Sequence, residues 1–498
     1  MRSQPLSTLN SSPQLENLFY PRSIAIVGAS TSLLNFGSAF FTSALKDLGY
    51  KGKIYYINPK YEGEFINNQR VIASLDDVDE KIDVVYSCIR AKLVPDLLRQ
   101  CVRRGDKFFI CFTSGFSEIQ TEDAIALEKE LLSIIKGSST RIIGPNCLGP
   151  YNPALGVGWN AGLSVPKREG NIAFASQSGG HATTLLRIAP GRGFYYTLGL
   201  SFGNQIDVNC LEVLEYYANH PETDVIAFYL EDTGSADGAE FFRKLREVTK
   251  KKPVVIWKGG QTETGARAAA SHTGAISGSL EIWHSMTKQA GGIFVEHSEE
   301  FWDILHLLSV LIPYKKLQLC KRLGLVIPGG GNSVEATDLF TRFGFEVPVL
   351  SQETQDKIQS LIPAVNTSVK NPVDLGASGT IDRVFLSSLR YIAEDPSIDC
   401  VIHYQPIDWV VHSEMEFGGQ GYSWSVARSL GRLAKNKLKK PLIQLMPIFE
   451  IEPKISEVYP KFIEILRKYG VPNFNSMIRL AKSLNHLNEY VEFHSKTE

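Results

Sequence analysis

The chain of 498 residues has a formal net charge of −1, with 43% hydrophobic and 21% charged residues. This balance is ordinary for a globular protein and excludes the global positive field that attracts nucleic acid or acidic membranes. The length predicts about three domains rather than a single core.

The cysteines and the N-terminus indicate the cellular compartment. The seven cysteines form no CxxC pair and no regular ladder, which fits reduced thiols. Residues 1–16 are polar and lack the apolar segment of a signal peptide, and no apolar run reaches transmembrane length. We therefore expect a soluble cytoplasmic protein with no nucleic-acid or membrane partner and no metal site of its own.

Short apolar runs alternate with amphipathic stretches in the first segment of the chain. Strands are predicted at Ser23–Val27, 54–57, 82–89, 108–112 and Arg141–Ile143, and helices at about 36–48 and 93–102. This alternation predicts right-handed βαβ crossovers and a parallel sheet with helices on both faces. Ligands of such sheets bind beyond the carboxyl ends of the strands.

The first strand runs straight into a glycine turn that is suited to phosphate, because backbone N–H groups and the helix dipole point at the same spot. The turn lacks the dinucleotide fingerprint GxGxxG. The second strand is followed by Asn58-Pro59-Lys60 rather than by the acidic residue that holds a ribose diol. A ligand with several phosphates therefore fits better than NAD, although every βαβ unit needs a glycine at its turn. The candidate residues are Gly28, Ala29, Ser30, Gly37, Asn58 and Lys60.

A second α/β segment begins near Gly170 and supplies a candidate anion site. A strand predicted at 171–175 leads into SQSGG at 176–180, and the helix that follows is expected to end at Pro190. A serine and two glycines at a helix start favour anion binding by backbone N–H groups. The alternative is an N-cap that only begins the helix.

Two further features follow strands of the same predicted domain. Glu231 comes directly after the strand Val225–Leu230, which places a carboxylate on the ligand side of the sheet. The strand predicted at 254–257 precedes the run AAASHTGAISG at 268–278, with His272 near its centre. A histidine among small residues, which let other groups approach closely, can act as a base, a ligand or a nucleophile. The alternative is a surface loop with an incidental histidine.

A third α/β unit is predicted from about Pro313 onward. Its strands are expected at 324–327, 400–403 and 442–446, with a glycine-rich turn at 328–333 and helices at 334–343 and 463–469. Like the second segment, it begins with a strand, a glycine pair and a helix. This pattern suits two related flavodoxin-like domains.

Three motifs occur in a characteristic order: RIIGPNCLG at 141–149, SQSGG at 176–180 and SHTG at 271–274. Together they resemble the α subunit of NDP-forming acyl-CoA synthetases, which include the ADP-forming acetyl-CoA synthetases and are relatives of succinyl-CoA synthetase. The motifs look like the family's CoA-side motif, its phosphate-binding helix start and its phosphohistidine segment. The resemblance extends over essentially the whole chain.

The resemblance implies an α/β architecture of three domains. These are a Rossmann-like CoA-binding domain at 1–150 and two succinyl-CoA-synthetase-like flavodoxin domains at 151–312 and 313–498, the first of which carries the phosphohistidine. It adds Pro145, Asn146 and Cys147 to the candidate CoA-binding residues. It also implies CoA and a small carboxylic acid as substrates.

In this family, acyl-CoA and inorganic phosphate give an acyl phosphate and free CoA, and the phosphoryl group then moves through a histidine to a nucleoside diphosphate. The resemblance makes His272 the phosphorylated nucleophile and Glu231 the carboxylate that holds its imidazole. Ser178, Gly179 and Gly180 would bind the transferred phosphate. An imidazole suits this role because its ordinary pKa, about 6.5, leaves it mostly neutral near pH 7.

The sequence departs from the family pattern in several places. No ATP-grasp region is recognisable, so the resemblance implies a separate ATP-grasp β subunit that holds the nucleotide and Mg, in an α2β2 complex. Arg90, Gly180 and His181 differ from the commonest family residues, and we expect them to tune the acid pocket. Trp159 is either an aromatic residue near the acyl group or a core residue, and we favour the core.

Two other function classes stay open from the sequence. A catalytically inactive protein that senses CoA or acyl-CoA would need neither His272 nor Glu231, and both are present. A nicotinamide-dependent oxidoreductase is disfavoured because the first turn lacks GxGxxG and the second strand lacks the acidic ribose partner.

Overall fold

The structure is a computed structural model that describes residues 15–31, 37–159, 168–267, 279–419, 421–450 and 452–496. The chain forms two compact units. The first unit comprises Met1–Ala189 and Tyr195–Glu296, and the second unit comprises Pro190–Phe194 and His297–Glu498. The predicted α/β class with parallel sheets is confirmed in both units.

The first unit contains two sheets, and the first of them is parallel throughout. Its strands and an accompanying antiparallel hairpin are, in chain order, β1 (Ser23–Val27), β2 (Lys53–Ile57), β3 (Phe65–Ile66), β4 (Gln69–Arg70), β5 (Val84–Ser87), β6 (Phe108–Cys111) and β7 (Arg141–Ile143). The sheet has the order β2-β1-β5-β6-β7, while β3 and β4 form the hairpin. The order places the ends of β1 and β2 side by side, as a βαβ crossover requires.

Apolar residues of the first sheet and its helices form one core. Ala25, Val85 and Phe109 belong to neighbouring strands and pack in the same cluster as Leu98 and Leu131 of the covering helices. Burial of both sheet faces explains why these strands read as continuous apolar runs rather than as alternating ones.

The second sheet is mostly parallel, with one antiparallel edge strand. Its strands are β8 (Gly149–Tyr151), β9 (Ile172–Ser176), β10 (Tyr196–Ser201), β11 (Val225–Leu230), β12 (Val254–Lys258) and β13 (Ile293–Val295), in the order β13-β12-β11-β9-β10-β8. The edge strand β8 pairs antiparallel with β10 and follows shortly after the last strand of the first sheet. The boundary expected at 150/151 therefore falls within a strand.

The α-helices of the first unit are Glu16–Phe19, Ser38–Leu48, Val94–Arg104, Glu122–Ile135, Gly179–Arg192, Cys210–Asn219, Gly238–Val248 and Leu280–Gln289, the fifth of which ends in the second unit. Two predicted bounds were wrong. The helix expected to end at Pro190 continues to Arg192 and stops before Gly193, which has a φ of +76°. The spacing of apolar residues predicts a helix over 207–218. The observed helix begins later, at Cys210, because the Asn209 side chain accepts the N–H groups of Leu211 and Glu212.

The second unit contains one parallel sheet. Its strands are β14 (Leu323–Val326), β15 (Cys400–Tyr404), β16 (Leu442–Leu445) and β17 (Asn473–Phe474), in sequence order. Its α-helices are Ser298–Leu311, Gly330–Arg342, Gln352–Gln359, Asp382–Glu394, Ile407–Ser413, Tyr422–Asn436, Pro453–Arg467 and Met477–Ser495, with a π-helical turn at Glu414–Gly418.

Two helices of the second unit are longer than the sequence predicted. The helix expected at 334–343 begins at Gly330, directly after Gly329, which has a φ of +89°. The helix expected at 463–469 begins at Pro453 and contains Pro460 in its interior. A proline removes one backbone donor and usually ends or bends a helix, so the sequence pattern concealed the first turns.

The described helices include none that is long and apolar enough to cross a membrane. All seven cysteines are free thiols, in agreement with the absence of disulfide-like spacing.

We predict that Gly203→Ala will lower the free energy of unfolding by about 2 kcal/mol or more. Gly203 has a φ of +54°, and an added Cβ would overlap the carbonyl oxygen of Pro145 and lie 2.6 Å from that of Asn146. Urea unfolding followed by circular dichroism measures the change. Gly238→Ala is the matched control, because a Cβ at Gly238 meets nothing within 4 Å. Equal stability of the two variants would contradict the expected clash.

We also predict that stability falls as the pH drops from about 6.5 towards 4. Burial lowers the pKa of His403 to about 4, so the unfolded chain binds a proton at a higher pH than the folded one. The stabilisation is complete above the unfolded pKa, about 6.5, and is lost as the pH approaches the folded value, by about 3 kcal/mol for this residue. His403→Asn should show a shallower pH dependence in urea unfolding. An unchanged slope in His403→Asn would contradict the assignment.

Candidate functional site

A cleft of about 690 Å³ lies in the first unit, where loops at the carboxyl ends of both sheets meet. The residues that line it are Phe40, Phe112, Asn146, Cys147, Leu148, Gln177, Ser178, Gly179, Gly180, His181, Thr183, Tyr229, Glu231, Gly260 and Gly265. The loop after β7 of the first sheet and the loops after β9 and β11 of the second sheet contribute most of the polar groups. The cleft therefore joins the predicted CoA-side and phosphate-side motifs in one space.

The helix start after β9 has the geometry of an anion site. The Ser176 hydroxyl donates to the Ser178 carbonyl at 2.8 Å, and the Ser178 hydroxyl oxygen accepts the His181 N–H at 3.3 Å as an N-cap. The first-turn N–H groups of a helix have no acceptor within the helix, and the helix dipole adds partial positive charge there. Gly179 and Gly180 lack side chains that would cover these donors. The N-cap and the anion site are thus compatible features of one turn.

Glu231 follows β11 directly and is buried, with only 6% of its surface exposed. Its backbone N–H donates to the side-chain carbonyl of Gln177 at 2.8 Å, and the Asp232 N–H donates to the same oxygen at 3.2 Å. The Gln177 amide in turn donates to the Asp232 carboxylate at 3.0 Å. Gln177 therefore fixes Glu231 relative to the helix start, a contact that the sequence did not predict.

The carboxylate of Glu231 has a hydroxyl donor at its side. Tyr229 Oη donates to Glu231 Oε1 at 3.2 Å, and burial together with the negative charge of Glu231 raises the pKa of Tyr229, which keeps this donor protonated. A Cβ at Gly259 would overlap Tyr229 Oη and lie 3.0 Å from Glu231 Cγ. The glycine after β12 thus makes room for this pair.

Lys258, at the end of β12, is another residue whose interactions the sequence did not predict. It is fully buried and its amine donates to the Gly259 carbonyl. Burial lowers its pKa, while the charges of Asp232 and Glu231 act in the opposite direction. A buried cation beside two carboxylates offsets part of the cost of burying Glu231 in its ionised form.

Hydrogen bonds hold the CoA-side loop to both sheets of the first unit. Asn146, which has a φ of +59°, donates its N–H to the Thr113 carbonyl at 3.1 Å. The Leu148 N–H donates to Ser201 Oγ at 3.1 Å. The Cys147 thiol points to the Ile143 carbonyl at 3.3 Å, and burial raises its pKa. Cys147 is therefore a packing residue of the cleft wall rather than a nucleophile.

The remaining candidate CoA residues form a separate group at the ends of β1 and β2. Asn58 Nδ2 donates to the Ala29 carbonyl at 2.7 Å, and Asn58 Oδ1 accepts the Lys60 N–H at 3.0 Å. The Ser30 N–H donates to Ser38 Oγ at 3.1 Å. Asn58 therefore brings the first turn and the second strand end together, as a phosphate site requires.

Two glycines are required by the backbone geometry of this group at the ends of β1 and β2. A Cβ at Gly28 would lie 2.5 Å from the Cys88 carbonyl oxygen, and Gly28 and Gly37 both have positive φ values. None of the six candidate residues in this group is among the described residues that line the cleft. Pro145 does not line it either, and its carbonyl instead accepts the Asn204 N–H at 3.0 Å.

His272 lies outside the described residues. The segment that leads to it is described as far as Arg267, and its residues Gly260 and Gly265 line the cleft. The predicted role of His272 therefore stays a prediction.

Of the three residues that differ from the commonest family residues, Gly180 and His181 are among the described residues that line the cleft, and Arg90 is not. His181 lines the cleft, and burial lowers the pKa of its imidazole. Arg90 is exposed and is not among the described lining residues, so a role in the cleft finds no support. Trp159 is fully buried and donates to Thr183 Oγ1 at 3.2 Å, which is the core position that the sequence favoured.

Comparisons with known proteins agree with these motifs. Residues 22–153 match the family model of a CoA binding domain, and residues 169–308 match that of a succinyl-CoA ligase like flavodoxin domain. The chain is 31% identical over 388 residues to the alpha subunit of ADP-forming acetate–CoA ligase II from Pyrococcus furiosus, which covers 78% of this chain and 81% of the relative. The chain belongs to the family of NDP-forming acyl-CoA synthetases. The resemblance inferred from the three motifs is confirmed.

Two further matches cover nearly the whole of this chain. ADP-forming acetate–CoA ligase I from Archaeoglobus fulgidus is 30% identical over 488 residues, or 97% of this chain, and the chain spans 64% of that relative's length. The solved structure of the dinucleotide forming acetyl-coenzyme A synthetase 1 from Ca. Korarchaeum cryptofilum, in complex with phosphate and ADP, superposes with a TM-score of 0.79. That match has 28% identity and covers 97% of this chain and 98% of the other. These relatives are ligases or synthetases and give no support to the inactive regulatory alternative.

We predict that Gln177→Ala lowers the free energy of unfolding by about 1–3 kcal/mol, because it leaves the buried N–H of Glu231 without its acceptor. Chemical denaturation monitored by tryptophan fluorescence measures the loss. Gln69→Ala, at an exposed position of β4, should change stability by less than about 0.5 kcal/mol. A Gln177→Ala variant as stable as the Gln69→Ala control would show that the hydrogen bonds accepted by Gln177 contribute nothing to stability.

Proposed function

We propose that the chain is the CoA- and phosphohistidine-bearing subunit of an NDP-forming acyl-CoA synthetase. The observation that carries the proposal is a single cleft lined by the helix start at Ser178–Gly180, the buried carboxylate of Glu231 and the CoA-side residues Asn146 and Cys147. The enzyme would interconvert acyl-CoA, NDP and phosphate with carboxylic acid, CoA and NTP. Membership of the family supports this reaction.

The first step would join phosphate to the acyl group. Inorganic phosphate at the helix start is held by the N–H groups of Gly179 and Gly180 and by the Ser178 hydroxyl. One phosphate oxygen attacks the thioester carbonyl, the C–S bond breaks, and CoA leaves as a thiolate that takes up a proton. The product is an acyl phosphate whose charge the helix start continues to stabilise.

The second step would move the phosphoryl group to His272. A ring nitrogen attacks phosphorus, the bond to the acyl oxygen breaks, and the carboxylate leaves. Glu231 accepts the hydrogen bond of the other ring nitrogen and offsets the positive charge of the imidazole. Gly265 lines the cleft seven residues before His272, so chain connectivity keeps the two within about 25 Å.

The third step would take place on a partner. A terminal oxygen of a nucleoside diphosphate attacks the phosphohistidine, and the P–N bond breaks to give the triphosphate and free imidazole. We assign the nucleotide and Mg to an ATP-grasp β subunit, in an α2β2 complex. The subunit name of the Pyrococcus relative supports a separate partner, and the Korarchaeum structure contains phosphate and ADP.

We further propose the domain division 1–150, 151–312 and 313–498 for this enzyme. The family models at 22–153 and 169–308 support the first two domains, although β8 places the junction inside a strand. The free thiols support a reducing compartment, and we therefore assign the enzyme to the cytoplasm.

The first two steps need only this chain, and this makes a direct test possible. The full chain is incubated with ³²P-phosphate and acetyl-CoA or phenylacetyl-CoA, without nucleotide. We expect one acid-labile, alkali-stable phosphoryl label per chain and the release of one free CoA thiol per label. His272→Asn should abolish the label, and Glu231→Gln should slow labelling by about 100-fold or more.

His284→Asn, which changes another histidine of the first unit, should label at the wild-type rate. Absence of label in the wild-type chain with every acyl-CoA tried, or a label that persists in His272→Asn, would overturn the proposal.

A further inference from the structure

Aromatic rings line the cleft beside the residues that are expected to bind phosphate and CoA. Four of its described lining residues carry rings, namely Phe40 and Phe112 from the first sheet's loops and helix and His181 and Tyr229 from the second sheet. The cleft has a volume of about 690 Å³.

The two cleft-lining rings on the second-sheet side, His181 and Tyr229, form a compact cluster with Trp257 of β12. The centroid of His181 lies 4.5 Å from that of Tyr229 and 4.7 Å from that of Trp257, and the Tyr229 and Trp257 centroids are also 4.7 Å apart. Two of these three pairs are edge-to-face, which is a preferred geometry of ring pairs. The cluster holds the His181 ring in place at the cleft surface.

The cluster is coupled to the reacting groups. Tyr229 donates to the Glu231 carboxylate, and His181 lies in the first turn of the helix that begins after Ser178. Any acyl group joined to a phosphate at this helix start therefore has the rings of His181 and Tyr229 among its nearest neighbours.

The first sheet adds rings of its own. Phe40 and Phe112 have centroids 6.0 Å apart, and both are half-buried, so they present ring surface to the cleft. Phe112 also packs edge-to-face on the buried Phe41 at 5.3 Å, which fixes its position. Leu148 is the one large aliphatic side chain among the lining residues that the structure describes.

We propose that this cleft selects carboxylic acids that carry a planar aromatic ring, with His181 and Phe112 as specificity-determining residues. The inference rests on the proposed function, since it names the acid of the same reaction. Edge-to-face and stacked contacts favour a ring over an aliphatic chain of similar size, because a ring offers both a negative face and a positive edge. A short acid such as acetate would leave most of these contacts unmade.

The test is a binding titration of the full chain without phosphate, so that no chemistry occurs. Isothermal titration calorimetry compares CoA, acetyl-CoA, hexanoyl-CoA and phenylacetyl-CoA. We expect phenylacetyl-CoA to bind about tenfold or more tightly than hexanoyl-CoA. His181→Leu and Phe112→Leu should each weaken phenylacetyl-CoA binding about fivefold or more and change the affinities for CoA and hexanoyl-CoA by less than twofold.

Phe449→Leu, which alters an exposed ring of the second unit, is the matched control and should bind all four ligands like the wild type. Equal or tighter binding of hexanoyl-CoA or acetyl-CoA overturns the inference, and so does a uniform loss of affinity for every ligand in His181→Leu and Phe112→Leu. Binding of CoA without a preference for the ring overturns this inference alone. Failure of CoA itself to bind overturns the proposed function as well.

Discussion

The side chain of Gln177 is the contact on which the candidate site depends. It accepts two backbone N–H groups after β11 and donates to Asp232, so it ties that strand end to the turn that begins the glycine helix. A parallel sheet brings strand ends to one edge but leaves their loops free to diverge. Here one amide holds the carboxylate of Glu231 and the N–H groups of Gly179 and Gly180 at the same cleft, which an acid–phosphate reaction centre requires.

A second set of contacts joins the first sheet to the carboxyl-end edge of the second sheet. The loop after β7 exchanges hydrogen bonds with the end of β10 and the segment that follows it. Position 203 has no space for a side chain, because Pro145 and Asn146 lie directly beside it. Arg141 at the start of β7 adds contacts to Asp207 and Glu212. These contacts lie within one compact unit and hold the CoA-side loop beside the phosphate-side helix.

The strand positions and the helix start could be predicted from the sequence, because buried parallel strands read as apolar runs and a serine before two glycines favours an N-cap. The roles of Gln177, Tyr229 and Lys258 could not, because each depends on a strand that is distant in the chain. The full length of the helix Pro453–Arg467 was not predicted because Pro460 lies inside it. The helix start at Cys210 was placed too early because the apolar spacing extends beyond the Asn209 cap. Arg90 is exposed and is not among the described residues that line the cleft, so its expected role in the acid pocket stays a prediction.

We expect phosphate and the thiol end of CoA to meet beside Glu231, and a crystal structure of the chain with CoA and inorganic phosphate would show whether they do. Phosphate should lie within hydrogen-bond distance of the Gly179 and Gly180 N–H groups, and the CoA sulfur should lie in the space lined by Asn146 and Cys147. Phosphate bound away from this helix start, or a CoA sulfur outside the cleft, would contradict this expectation.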